Sequence, residues 1–153
     1  MYLYVLRHGK AGDGYPDEIR ELTERGRDNL DVVLSGCAKD IKPLAQIQRS
    51  PLVRAQQTAE IAARILGFDQ TISENEQATP WGSPQKFLDS LDEQFESVLV
   101  ASHQPFVSFL VEHLTGEDIP MRTSALVAIK VNYPGEGGGD LLWHRDPNTK
   151  NTN

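Results

Sequence analysis

Tyr2-Leu3-Tyr4-Val5-Leu6-Arg7-His8-Gly9 opens the chain as an apolar run that ends in an arginine, a histidine and a glycine. The first five residues are aromatic, β-branched or leucine, too few for a helix, and read as a strand buried on both faces of a parallel sheet. Gly9 lets the backbone turn sharply and pass close to a ligand. His8 is thereby placed just beyond the carboxyl end of a strand, where open α/β sheets collect ligands. An imidazole beside a guanidinium suits a nucleophile next to a phosphate holder. Taken alone, the triplet fits a salt-bridging surface arginine and a structural histidine equally well.

Two further strands end in similar chemistry. Leu44-Ala45-Gln46-Ile47-Gln48 reads as a short strand, followed by Arg49 and by Ser50-Pro51 as a helix start. Ser50 can cap free N–H groups, and Pro51 at the first helical position loses nothing by lacking its own. Leu52, Ala55, Ala59, Ala62 and Leu66 then recur at helical spacing, and Arg54, off that stripe, is set to reach back over the positive helix start. Ser97-Val98-Leu99-Val100-Ala101 is the third strand, with Ser102-His103-Gln104-Pro105 after it. Helix signals follow, with Pro105 near a first turn and then Phe106, Phe109, Leu110, His113 and Leu114, until Gly116 stops the element. Strand and helix alternating in this way, with right-handed crossovers, predict one sheet edge shared by Arg7, His8, Arg54 and His103. A core histidine is the competing reading for His103 by itself; three strand ends each supplying an Arg or His weigh against coincidence.

The remaining pattern fits one α/β domain over residues 1–146 with a polar, frayed tail over 147–153. A helix is expected from Thr23 to near Ala38, a short strand over Thr71 to Glu74, a short helix over Pro84 to Leu91, and two strands, Ala125 to Val131 and Asp140 to His144, joined by a glycine-rich hairpin. Those glycines lack the Gly-Lys-Ser/Thr ending of a phosphate loop. Lys10 to Glu21 is expected to be a loop whose carboxylates Asp13, Asp17 and Glu18 border the pocket or are solvated, with solvation preferred.

At 153 residues the chain can bury about 68–70% of its unfolded surface, with little length left to roof a site, so a shallow, open pocket is expected. The net charge of -7 argues against nucleic acid and anionic membranes as partners. No apolar run approaches the roughly 20 residues of a membrane span, and a single cysteine, Cys37, on an apolar helical stripe reads as a buried hydrophobe; a reducing cytoplasmic setting is expected. His113 and His144 read as structural or exposed, and without paired cysteines or a His-Glu-x-x-His pattern no metal or other cofactor is expected.

Arg7-His8-Gly9, Ser50-Pro51-x-x-Arg54 and Ser102-His103 together resemble the histidine phosphatase, or phosphoglycerate-mutase-like, superfamily. Leu22-Thr23-x-x-Gly26, Arg54-Ala55-x-Gln57-Thr58 and Thr79-Pro80-x-Gly82 are similar, more narrowly, to SixA-type phosphohistidine phosphatases. The resemblance spans roughly Tyr2 to Trp143 and implies a three-layer α/β/α fold, with a mostly parallel central sheet between helices. It also implies a metal-independent hydrolase acting through a phosphorylated His8, with Arg7, Arg54 and His103 binding the phosphoryl oxygens and Ser50 a weaker further contact. For that chemistry His8 must be neutral with its ε nitrogen free, its δ N–H held by a loop carbonyl, while His103 turns cationic with phosphate bound.

Members that cleave phosphomonoesters resemble one another in carrying a carboxylic acid that protonates the departing alkoxide. Glu76 is the nearest counterpart, against the alternative of a solvated loop carboxylate. Phosphohistidine needs less help, because its P–N bond is labile. The resemblance therefore implies, as substrate, a phosphorylated histidine-containing phosphotransfer domain or similar phosphocarrier in signal transduction, met by a monomer. Two alternatives stand beside it: a sugar-phosphate or other small phosphomonoester phosphatase of the same fold, and a module that binds a phosphoprotein without turning it over.

Overall fold

The computed structural model describes residues 1–149. Six strands form one sheet: β1 (Tyr2–Arg7), β2 (Gln46–Arg49), β3 (Ser73–Glu74), β4 (Ser97–Ser102), β5 (Leu126–Val131) and β6 (Gly139–Arg145). Their order is β3-β2-β4-β1-β5-β6, so β4 lies between β1 and β2. The pairs β1–β4, β2–β4 and β2–β3 are parallel, while β5 and β6 run antiparallel and close one edge as a hairpin. Among the described residues four α-helices cover the sheet: α1 (Glu24–Cys37), α2 (Val53–Leu66), α3 (Pro84–Asp89) and α4 (Phe106–Thr115). None of them is long and apolar enough to cross a membrane.

Side-chain alternation assigns the faces, since successive strand residues point to opposite sides. Leu3 and Val5 of β1, with Val98 and Val100 of β4, join Phe87, Leu88, Phe106, Leu110 and Leu114 of α3 and α4 in one core. Tyr4 and Leu6, with Leu99 and Ala101, join Leu30, Leu34, Ala59 and Ala62 of α1 and α2 in the other. Both faces of the central strands are therefore dry, and the three-layer expectation holds. Cys37 is buried in the α1/α2 core. The predicted α1 is present, its Thr23 hydroxyl accepting the Gly26 N–H at 3.0 Å.

One helix reading needs correction. α2 starts at Val53 with Leu52 as its N-cap, so Ser50 and Pro51 precede the helix instead of capping it. Ser50 Oγ does accept the Leu52 N–H at 3.1 Å, bending the chain into α2 from outside. On α4 the buried stripe is Phe106, Val107, Leu110, Val111 and Leu114, leaving Phe109 exposed. The tail expected over 147–153 is described only to Thr149, whose N–H turns back to the Asp146 carbonyl; its last four residues lie outside the described residues.

Register brings the chemistry to one level. Arg7 pairs with Ser102, so β1 and β4 end flush and His8 and His103 leave the sheet together; Arg49 pairs with Ala101, so β2 ends one residue short and Ser50 lies level with Ser102. The His8 N–H donates to the Ser102 carbonyl at 2.9 Å and the Ser50 N–H to the Ala101 carbonyl at 3.1 Å, continuing the ladder into the site.

Candidate active site

The turn after β1 is held against the start of α1 by two glycines. A Cβ on Gly26 would lie 2.2 Å from the Lys10 carbonyl oxygen, and one on Gly9 would lie 2.9 Å from the Gly26 carbonyl oxygen. Backbone approach this close excludes any other residue without movement of the turn that carries His8. From the α2 side, buried Thr58 accepts the Gly9 N–H at 3.2 Å and donates to the Arg54 carbonyl at 2.8 Å. One hydroxyl thus ties the His8 turn to the helix turn that carries Arg54.

His8, Arg54, His103 and Ser50 are all buried, and the His8 and His103 ring centroids are 5.0 Å apart. His8 Nδ1 is 2.6 Å from the Gly9 carbonyl oxygen. A carbonyl can only accept, so in the neutral ring the proton sits on Nδ1 and the Nε2 lone pair is free. Burial, chiefly, and then the Arg54, Arg7 and Arg20 charges push the His8 pKa down to about 4, against the upward pull of the Gly9 bond. His8 is accordingly neutral at pH 7.

His103 is held from the opposite nitrogen, with Nε2 2.6 Å from Ser50 Oγ. Burial first, then His8 and Arg54, bring its pKa down to about 3, so it too is neutral in the free protein. Ser50 Oγ accepts from Leu52 and still has its own proton to give; in the tautomer in which it donates to Nε2, the imidazole proton is on Nδ1. That Nδ1 is buried and has no partner among the described residues.

The guanidinium groups share this condition. Arg7 Nη1 donates to the Met121 carbonyl at 2.9 Å, and Arg54 Nη1 and Nη2 donate to the carbonyl and carboxylate of Asp17 at 2.9 and 3.2 Å. The Nε atoms of both arginines are buried without a partner among the described residues. Burial lowers the Arg7 pKa, yet a guanidinium is basic enough to stay protonated. Unspent buried donors cost free energy unless something accepts from them. A small oxyanion is the acceptor whose charge suits two arginines and a proton-bearing imidazole.

Glu76 is exposed, at the start of a short 3-10 turn (Glu76–Ala78), and hydrogen-bonds to none of these residues. Asp17, for which solvation was preferred, is instead bonded to Arg54 and, at 2.8 Å, to Arg20. The Arg20 bond, before the other contributions, holds its carboxyl below the usual range. Thr58, Arg20 and the Met121 carbonyl escaped the sequence reading as site elements; only the Asp17-x-x-Arg20 spacing signalled a local ion pair. His113 Nε2 is 2.8 Å from Gln85 Oε1, and His144 is exposed, both away from the cluster. Among the described residues no group of three or more His, Cys, Asp or Glu is placed to hold a metal ion.

Both the sequence and the fold have relatives among known proteins. The phosphohistidine phosphatase SixA of Escherichia coli (strain K12) is 31% identical, over 96% of this chain and 94% of its own length. The chain belongs to the SixA family of phosphohistidine phosphatases. A solved structure of the protein histidine phosphatase SixA, complexed with tungstate, superposes on this SixA-family chain with a TM-score of 0.84 at 29% identity, covering 96% of this chain and 97% of that one. The α-ribazole phosphatase of Shigella flexneri shares the fold at a TM-score of 0.72, with 18% identity and both chains fully covered. No protein-family model matches the sequence. The SixA-family assignment places the six-stranded sheet within the phosphoglycerate-mutase-like fold.

Proposed function

We propose that residues 1–146 form a phosphohistidine phosphatase that works through a phosphorylated His8. The observation that carries this reading is the complementary locking of the two imidazoles: Nδ1 of His8 is bonded to Gly9, Nε2 of His103 to Ser50. One ring is left with a lone pair and the other with a proton, 5.0 Å between centroids.

In the first step His8 Nε2 attacks phosphorus in line, forming a new N–P bond as the substrate's N–P bond breaks and its imidazole leaves with a proton from solvent. The unspent Nε–H groups of Arg7 and Arg54 and the Nδ1–H of His103 take the equatorial oxygens, where charge builds. A phosphoryl dianion in the cluster raises the His103 pKa and draws that ring toward the cation, whereas His8 becomes the phosphorylated atom's holder. Water then attacks phosphorus, the His8 N–P bond breaks, and inorganic phosphate departs with His8 neutral again.

The position of Glu76 supports a labile P–N bond over an alkyl phosphate, since no carboxyl group touching the cluster is available to protonate an alkoxide; Asp17 is held as a carboxylate by arginines. The fitting substrate is a phosphorylated histidine-containing phosphotransfer domain or similar phosphocarrier in the cytoplasm. Rapid mixing with such a protein, carrying labelled phosphate, should place acid-labile, base-stable label on the wild type within the first turnover and none on His8→Ala. Label transfer unaffected by loss of His8 would overturn the mechanism, and a stable complex without transfer would leave only a binding module.

A further inference from the structure

We infer that Asp17 is a positioning residue for phosphoryl binding, which holds the end-on edge of Arg54 so that the side-on edge is presented to the anion. The inference rests on the phosphoryl-transfer reading above and extends it to a loop outside the strand ends.

A guanidinium has five N–H donors in a fixed plane. Asp17 occupies two of them from one side, its carbonyl on Nη1 at 2.9 Å and its Oδ2 on Nη2 at 3.2 Å. The donor left over on the inner edge, Nε–H, is buried without a partner among the described residues. Arg54 itself is 5% exposed, whereas the Asp17 side chain is 56% exposed, so the carboxylate approaches from the solvent side and leaves the inner edge clear.

Asp17 is in turn fixed from behind. Its Oδ1 accepts from Arg20 Nε at 2.8 Å, and Arg20 Nη1 reaches the Gly12 carbonyl at 3.1 Å. Both anchors belong to the same loop, so the loop between β1 and α1 closes on itself and clasps Arg54 as a unit. Without Asp17, the long arginine side chain loses one of its two fixed acceptors and can rotate about its last bonds. Its inner edge would then meet a phosphoryl group at the cost of ordering that the wild type has already met. Glu18, next in the same turn, is exposed and makes no such bond, which provides a neighbouring control.

The test uses inorganic phosphate as the probe, so that binding is read without turnover. Calorimetric affinities are measured for wild type, Asp17→Ala, Asp17→Asn, Glu18→Ala, Arg54→Ala and the Asp17→Ala/Arg54→Ala pair, with thermal melts alongside. Asp17→Ala should weaken phosphate about tenfold, Asp17→Asn by less, and Glu18→Ala not at all, while adding Asp17→Ala to Arg54→Ala should change affinity less than about twofold. In turnover, kcat/KM of Asp17→Ala should fall with kcat while the melting temperature stays within a few degrees of wild type. Unchanged phosphate affinity in both Asp17 variants would overturn the inference, as would an equal loss in the Arg54→Ala background. Neither result would disturb the phospho-His8 reading, which is sunk instead by absence of label on His8.

Discussion

The carboxyl ends of β1 and β4 lie side by side in parallel register, and each releases a histidine into the same side-chain cluster, but they hold their rings by opposite nitrogens. At the β1 end the constraint is backbone: Gly9 supplies the carbonyl, and two glycines and Thr58 fix the turn. At the β4 end the constraint is a side chain, Ser50, delivered from β2. Burial makes both rings neutral in the free protein, so charge does not tell them apart. What differs is which nitrogen is left over. Under the proposed mechanism, a nucleophile and a proton donor come from two copies of one residue type by the placement of two hydrogen bonds.

The sharpest way to break the comparison is to remove one ring at a time. His8→Ala should lower kcat by at least about 10⁴-fold, because the covalent route disappears with the nucleophile. His103→Ala should be milder and should still permit some labelling of His8. Equal losses, with no label in either, would mean that the two rings are not divided in role. Next in size come the arginines: Arg7→Ala or Arg54→Ala should each slow turnover about a hundredfold, from roughly 2.7–4 kcal/mol for a lost preorganised donor. A single-turnover rate within fivefold of wild type in either variant would show that its guanidinium does not face the reacting phosphoryl.

Both histidines also write a pH signature into stability. Their folded pKa values, about 4 and about 3, lie below the unfolded value near 6.5. As pH falls below 6.5 the unfolded chain takes up protons that the folded chain refuses, so stability present at pH 7 is lost on acidification. For the pair the loss should be on the order of 3 kcal/mol between pH 7 and pH 5. Urea denaturation at the two pH values checks this. Inorganic phosphate, as a negative partner for the rings, should restore part of the loss, and His8→Asn/His103→Gln should flatten the slope.

These effects also show how far the sequence could be read. Arg7, His8, Arg54 and His103 are visible because each follows, or lies one turn beyond, a run of apolar residues whose period is unambiguous, and the parallel register does the rest. Ser50 was visible for a different reason, as a helix cap. The helix begins three residues later, and the same hydroxyl serves both the Leu52 N–H and His103. The helical spacing of Phe106, Phe109, Leu110, His113 and Leu114 marks α4 but not which of them are buried; Val107 and Val111 share the core face, and Phe109 is exposed. Asp17 was the hardest. It lies in a loop of glycine, proline and carboxylates, where period carries no information, and its partner Arg54 is 37 residues away. Long-range pairing of loop side chains is a property of the fold, not of the local pattern.

Ser50→Ala separates the two ends further. It removes the bond on His103 Nε2 and leaves His8 untouched, so kcat should fall about tenfold, in keeping with the loss of one orienting hydrogen bond. The acid limb of the rate profile should shift with it, since His103 then chooses its tautomer freely. A variant with wild-type kcat and pH profile would show that Ser50 shapes only the entry to α2.

Ser124 gives the smallest effect and tests the β1 end from behind. Its N–H donates to the His8 carbonyl at 3.1 Å, from a backbone with φ 67, and its buried Oγ has no partner among the described residues. Two unfavourable features thus coincide beside the proposed nucleophile: a left-handed conformation in a residue with a Cβ, and an unsatisfied hydroxyl. Ser124→Gly relieves both, against the entropy that a glycine adds to the unfolded chain, and should stabilise the protein by about 1 kcal/mol. Ser124→Ala keeps the strained backbone and should gain less. If the strap formed by residues 121–124 matters to the His8 turn, the more stable glycine variant should be the slower enzyme, because a freer Ser124 N–H no longer fixes the carbonyl end of His8. A glycine variant that is less stable than wild type in urea would show that the serine side chain, and not the strain it bears, is what the β1 end relies on.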